Sequence, residues 1–391
     1  MANQKIGTLA VHGGEDQVWT VDAVNTPIYQ STTYRFDTAA AAAAYLDAPE
    51  GKWLYSRLEN PTVVAAERKL ALLEGTEQAA LFASGMAAIH AALVAHLAAG
   101  DTLLVADALY GQTTRLARTI LARFGVRVLE APVQRLAEAA AAAPDGTRAV
   151  FFETPTNPTL RIADVAAVAA ACRARGILSM IDATFATPIN LRPASLGVDL
   201  VIHSATKYLN GHCEHLAGVV AGNTQVLAPV LEVRRTAGGT IDPVVASDLA
   251  RGMKTLEIRI ERQNATALRL AEALERHPRV ARVHYPFLAS HPDHGLARRL
   301  LRGGGGVLSL SVKGGFEACG RVHDALRLVA RASSLGGVES LASIPVISSH
   351  RNATDAELAA QGIDRGMLRL SVGLEDADDL LADLTQALER A

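Results

Sequence analysis

Residues 199–211 read DLVIHSATKYLNG, and the fold follows from this stretch. Leu200, Val201 and Ile202 form a short apolar run with two β-branched members, which suits a buried strand, and the segment from His203 to Thr206 brings polar side chains where that strand ends. Lys207 comes next. An amine at the carboxyl end of a parallel strand stands where open α/β sheets hold their ligands, and the hydroxyls of Ser204 and Thr206 beside it suit an anion. Lysine is also the side chain that condenses with a carbonyl once it is partly desolvated, so Lys207 is a candidate Schiff-base residue.

Outward from this stretch the chain alternates strand and helix from Gln78 onward. Strands are expected at 79–82, 102–106, 148–152, 177–181 and 200–202, with alanine-rich helices between them. That is a doubly wound, mostly parallel α/β pattern. Ser84, Gly85 and Met86 form a turn before a helix expected at 87–98, whose free backbone N–H groups offer an anion site of the phosphate-binding kind. No GxGxxG motif or Walker lysine accompanies it, which disfavours a dinucleotide or nucleoside triphosphate. Three further segments, DALYG (107–111), ETPTNP (153–158) and DATFATP (182–188), follow strands at the same edge as Lys207, as one shared cleft requires.

The flanks organise around this core. Residues 1–50, with Pro27, Thr32, Thr33 and an alanine run at 39–44, read as an arm and a short helix packing on a neighbouring subunit. Tyr55 and Arg57 precede Asn60-Pro61, a turn into a helix expected at 63–74; a phenol and a guanidinium together suit a phosphate. Residues 51–245 form the expected large domain and 246–391 a smaller α/β domain, joined by one long helix over 248–276 with Met253, Leu256 and Ile260 on one face. The glycine run 303–306 leads into a strand at 307–312, so a turn is the simpler reading than a phosphate loop. His212, Cys213, Glu214 and His215 lack a second pair at ligand spacing, and no metal is assigned.

The 391 residues are 49% hydrophobic with a formal charge of -2, enough for a large core and without the basic surface that nucleic acid requires. The cysteines, three and far apart, favour a reducing compartment. The first residues carry no secretory pattern and no apolar run reaches membrane-spanning length, so the expected location is cytoplasmic.

Taken in order, Tyr55-Ser-Arg57, Asn60-Pro-Thr62, Ser84-Gly85-Met86, Leu109-Tyr110-Gly111, Glu153-Thr-Pro-Thr-Asn157-Pro, Asp182-x-Thr-Phe-Ala-Thr-Pro, Ser204-Ala-Thr206-Lys207-Tyr-Leu-Asn-Gly-His, Ser334-Leu335-Gly-Gly and Arg369-Leu-Ser-Val-Gly resemble the pyridoxal-phosphate-dependent enzymes of Cys/Met metabolism. The resemblance implies a fold-type I enzyme with pyridoxal 5'-phosphate held on Lys207. It implies Asp182 at the pyridine nitrogen and Tyr110 stacked on the ring and protonating the departing group. The Gly85 and Met86 amides and the Ser204 and Thr206 hydroxyls would face the phosphate, completed by Tyr55 and Arg57 of a neighbouring subunit. It implies Asn157 and Arg369 on the substrate carboxylate, Ser334 and Leu335 bordering it, and Arg115 as a further substrate contact. The assembly implied is at least a dimer, usually a tetramer.

Some positions depart from that pattern. Gln112 stands where methionine γ-lyases carry a cysteine, Ser333 where the cystathionine enzymes carry a glutamate, Ala183 replaces a common asparagine, and Ser348-Ser349-His350 replaces Met-Thr-His. The reading that follows is a carbon–sulfur lyase, cystathionine γ-lyase-like, which eliminates a β- or γ-substituent from an amino acid and releases a 2-oxo acid and ammonia. A γ-replacement transferase, such as a cystathionine γ-synthase or homoserine-ester sulfhydrylase, is the alternative. A non-catalytic protein of the same fold is a third reading, which the presence of Lys207, Asp182, Tyr110 and Arg369 together disfavours.

Overall fold

The computed structural model describes residues 4–15, 23–47, 52–351 and 353–391; the expected boundary between arm and large domain at 50/51 lies outside them. Among the described residues, seven strands make one sheet: β1 (Gln78–Phe82), β2 (Thr102–Ala106), β3 (Arg127–Ala131), β4 (Thr147–Glu153), β5 (Leu178–Asp182), β6 (Leu200–His203) and β7 (Gly218–Gly222). Their order is β1-β7-β6-β5-β4-β2-β3. From β6 through β3 the pairing is parallel, whereas β7 runs antiparallel to both β6 and β1. Strand β6 is buried along its whole length, as its unbroken apolar reading requires of a strand covered on both faces.

Alternation along the strands separates the two faces. Ala80 and Phe82 of β1 enter one core with Ile89 and Leu93 of helix Gly85–His96, while Ala79 and Leu81 enter another with Val63 and Leu70 of helix Pro61–Glu74. Helices therefore cover both faces of a mostly parallel sheet, which is the doubly wound architecture. The second sheet contains β8 (Val280–His284), β9 (Val307–Val312), β10 (Ala330–Arg331), β11 (Leu341–Ser343) and β12 (Met367–Ser371), in the order β10-β11-β12-β9-β8. Leu270, Leu274 and Leu384 from helices Leu256–Glu275 and Ala377–Leu388 pack on it, and Gly303 to Gly306 turn the chain into β9.

The single helix expected over 248–276 is instead two, Pro243–Met253 and Leu256–Glu275. The cause is a buried guanidinium. Arg259 donates from Nη2 to the Gly252 carbonyl at 2.8 Å, the acceptor an unbroken helix would give to the amide of residue 256, and from Nη1 to the Tyr208 carbonyl at 2.8 Å. Met253, Leu256 and Ile260 still share one core with Tyr208 and Leu335 across the break.

Candidate functional site

Four parallel strands deliver chemistry to one edge. Four residues beyond β6, the Lys207 amine donates to Ser334 Oγ at 2.9 Å. Ser334 in turn accepts from Arg369 Nη2 through its carbonyl at 3.1 Å, and Arg369 Nη1 donates to Asn157 Oδ1 at 2.9 Å. Arg369 sits on β12, in register with Ser309 of β9 and Ser343 of β11, so the second sheet carries this guanidinium to the edge of the first. Gly336 permits the approach: its φ is +78°, and a Cβ there would lie 2.7 Å from the Tyr208 amide nitrogen, next to Lys207.

Glu153, at the end of β4, braces two of these segments from below. Its Oε2 accepts from the Tyr110 amide at 2.9 Å and its Oε1 from the Asn157 amide at 3.0 Å. Asp182 ends β5 and accepts on Oδ1 from both the amide (3.0 Å) and the hydroxyl (2.5 Å) of Thr184. The same Thr184 oxygen accepts from the Ser204 amide at 2.8 Å, which couples the ends of β5 and β6.

These groups line a cavity of about 480 Å³. Gly85, Met86, Tyr110, Asn157, Asp182, Ser204, Thr206, Lys207, Ser334, Leu335 and Arg369 are all in its wall. Three expected site residues are not. Arg115 is exposed at the end of helix Gly111–Arg115 and lies outside the wall. Arg57 donates to the Arg235 carbonyl and sits 5.5 Å over the Tyr55 ring, and Tyr55 pairs with Thr33 through an isolated bridge. Both Tyr55 and Arg57 are thus on the surface of their own chain, apart from the cavity.

Burial sets the charges. It pulls the Lys207 amine below the usual lysine range, and the Arg369 charge adds to the pull. It lifts Asp182 above the usual carboxylate range against the Thr184 hydrogen bonds, and lifts Glu153 well above it, the Asp182 charge adding to the rise. It brings Arg369 down to about 10.

The pocket fits pyridoxal phosphate on its own features. The N-terminal amides of helix Gly85–His96 at Gly85 and Met86 have no carbonyl a turn before them, and this end faces the cavity. A Cβ on Gly85 would come within 2.8 Å of Ser204 Cβ, so only glycine keeps the helix end flush with the hydroxyl beside it. Asp182, whose ionised form is raised in energy by burial and which has no side-chain cation bonded to it among the described residues, matches a protonated ring nitrogen. Among the described residues no group of three metal-ligating side chains is found.

Glu153, Thr184 and Arg351 line the cavity but had no assigned role in the sequence reading. Thr184 had a readable signal, the Asp-x-Thr spacing of a local side-chain turn. Arg351 had none, because it sits in a loop after an unusual Ser-Ser-His.

The family model for the Cys/Met metabolism PLP-dependent enzymes matches residues 7–389. The chain is 41% identical over 384 residues to an L-methionine gamma-lyase of Pseudomonas putida, covering 98% of this chain and 96% of the relative. It is also 41% identical over 381 residues to an O-succinylhomoserine sulfhydrylase of Pseudomonas aeruginosa, covering 97% and 94%. The crystal structure of cystathionine gamma-lyase from Lactobacillus plantarum complexed with L-serine superposes with a TM-score of 0.93 at 35% identity, covering 99% of both chains. Relatives of both kinds, lyases and γ-replacement transferases, thus run the length of the chain, which belongs to the Cys/Met metabolism family of enzymes dependent on pyridoxal 5'-phosphate.

Proposed function

We propose that this enzyme removes a β- or γ-substituent from a sulfur-containing or related amino acid as a lyase, releasing a 2-oxo acid and ammonia. The observation that carries the reading is the Lys207 amine held against Ser334, one bond from the guanidinium that reaches Asn157. When bound, pyridoxal phosphate supplies an electron sink that makes the Cα proton of an amino acid labile.

The chain's residues then divide the work. Asp182 holds a proton on the ring nitrogen. The Gly85 and Met86 amides and the Ser204 hydroxyl hold the phosphate, with Thr206 beside them. Arg369 and Asn157 fix the substrate carboxylate; the guanidinium is already oriented, so little freedom is lost on binding. Ser334 and Leu335 border that carboxylate. Lys207, whose depressed basicity leaves more of the amine neutral, moves the proton between Cα and the carbon beyond it. Tyr110 gives a proton to the departing group at the cavity mouth. Tyr55 and Arg57 serve the phosphate of a neighbouring subunit, in a dimer or a tetramer built from dimers; of the arm expected over 1–50, helix Ile6–His12 packs on its own chain, with Leu9 and Ala10 in one core with Val63 and Leu70, which leaves the contact with the neighbour to residues 23–47. The catalytic domain spans 51–245 and the smaller domain 246–391.

A γ-replacement transferase is the second reading, favoured by a sulfhydrylase relative at the same 41% identity as the lyase. Product analysis separates them. With cystathionine, methionine and activated homoserines, a 2-oxo acid formed without added thiol supports the lyase, and a new thioether formed only with thiol supports the transferase. No product from any of them would overturn both.

A further inference from the structure

We propose that Arg351 makes the mouth of the cavity a receptor for a negatively charged end of the γ-substituent, so that the favoured substrate is an amino acid whose γ-substituent is an acyl chain ending in a carboxylate. This rests on the reading of the cavity given above. Three cations line it: Lys207, Arg351 and Arg369. Two are engaged within the chain, Lys207 with Ser334 and Arg369 with Asn157 and the Ser334 carbonyl. Arg351 is exposed at the mouth and has no carboxylate partner among the described residues.

The acidic residues of the wall do not offset it. Glu153 and Asp182 are buried, the first bonded to the Tyr110 and Asn157 amides and the second to Thr184. The other polar groups near the mouth, Gln112, Ser333, Ser348 and Ser349, are uncharged. A distal ammonium therefore meets a cation and hydroxyls there, and a distal carboxylate meets a planar fork of donors.

The loop is placed to do this. The Ser349 carbonyl lies 2.9 Å from where a Cβ on Gly111 would stand, next to Tyr110 and Gln112. Ser348 Oγ donates to the Ile344 carbonyl at 2.7 Å and the His350 amide to the Pro345 carbonyl at 2.8 Å, which fixes the turn that leads into Arg351. Apolar side chains at the mouth, Tyr110 (42% exposed), Leu216 (67%) and Ile347 (57%), suit methylenes between the γ-oxygen and the charge. A phosphate placed directly on that oxygen would leave these side chains uncovered.

The test compares the succinyl, acetyl and phosphate esters of homoserine. Wild-type enzyme is expected to prefer the succinyl ester in kcat/KM over both others. Arg351→Gln should lower kcat/KM for the succinyl ester about tenfold more than for the acetyl ester, and Arg351→Lys should recover part of the difference. In a Lys207→Ala background, calorimetric Kd values for the same two esters should show the same loss of preference. A succinyl-to-acetyl ratio near one in wild type, a ratio that Arg351→Gln does not move, or a preference for the phosphate ester would overturn the assignment while leaving the enzyme reading intact. Failure of wild type to process any ester, together with failure to attach pyridoxal phosphate to Lys207, would overturn the enzyme reading and the assignment with it.

Discussion

Lys69 is a buried amine and Lys207 a partly buried one, and what surrounds each decides its use. Lys69 donates to the carbonyls of Ala10 and Val11 at 2.8 and 3.0 Å, at the end of the helix Ile6–His12, with Glu15 3.7 Å away. It ties the N-terminal segment to helix Pro61–Glu74. Burial brings its pKa from 10.5 to about 8, against the pull of Glu15. Between about 8 and 10.5 the unfolded chain binds more protons at this site than the folded one, so this site's contribution to stability rises with pH across that window. Each pH unit within it is worth up to about 1.4 kcal/mol. The Tm of wild type minus that of Lys69→Met should therefore increase from pH 8 to pH 10; a difference that stays flat or falls would contradict this. Lys207 is depressed by the same cause, but its partner is a single hydroxyl rather than two carbonyls, and it borders a cavity. An amine so placed is free to leave its partner and react.

Elements carry these residues to one place. The turn from β1 into helix Gly85–His96 works only because Gly85 adds no side chain against Ser204. Gly85→Ala should push the helix end off the Ser204 hydroxyl and raise the Kd for pyridoxal phosphate at least about tenfold, a loss of about 1.4 kcal/mol, while circular dichroism shows a folded protein. An unchanged Kd would remove this helix end from the phosphate site. The central parallel strands were legible because strands covered on both faces read as unbroken apolar runs, and β2 falls at the residues expected. Strand β7, GVVAG, was not, because it is short and bounded by glycines at both ends, and its antiparallel place beside β6 depends on a partner distant in sequence. The helix break at Lys254 and Thr255 was likewise hidden, since it depends on Arg259 reaching the Tyr208 carbonyl from another part of the chain. Lys207 and Asp182 were readable from motifs at strand ends, and Arg369, in the middle of β12, only through the resemblance carried by Arg369-Leu-Ser-Val-Gly. Arg351 was not, since its position depends on how the turn at Ser348 and Ser349 packs against Gly111.

At the scale of the whole molecule, two sheets meet where Lys207 and Arg369 face one cavity, and neither sheet alone contains both. Arg118 pairs with Glu357 of helix Asp355–Ala360 at 3.0 Å, a contact between the segments that carry the two sheets. The surface pair Tyr55 and Arg57 lies outside its own cavity, so a role at the phosphate requires a second subunit. Equal mixing of Arg57→Ala and Lys207→Ala proteins should then give hybrid dimers with one intact site each, and recover roughly a quarter of wild-type activity. Freely exchanging subunits that recover nothing would contradict a shared site. The central claim, that Lys207 carries the cofactor, has a direct measurement: borohydride reduction of protein loaded with pyridoxal phosphate, followed by proteolysis and mass spectrometry. The account predicts a pyridoxyl-phosphate mass on the peptide containing Lys207 and its loss in Lys207→Ala; no adduct, or an adduct on another lysine that persists in Lys207→Ala, would contradict it.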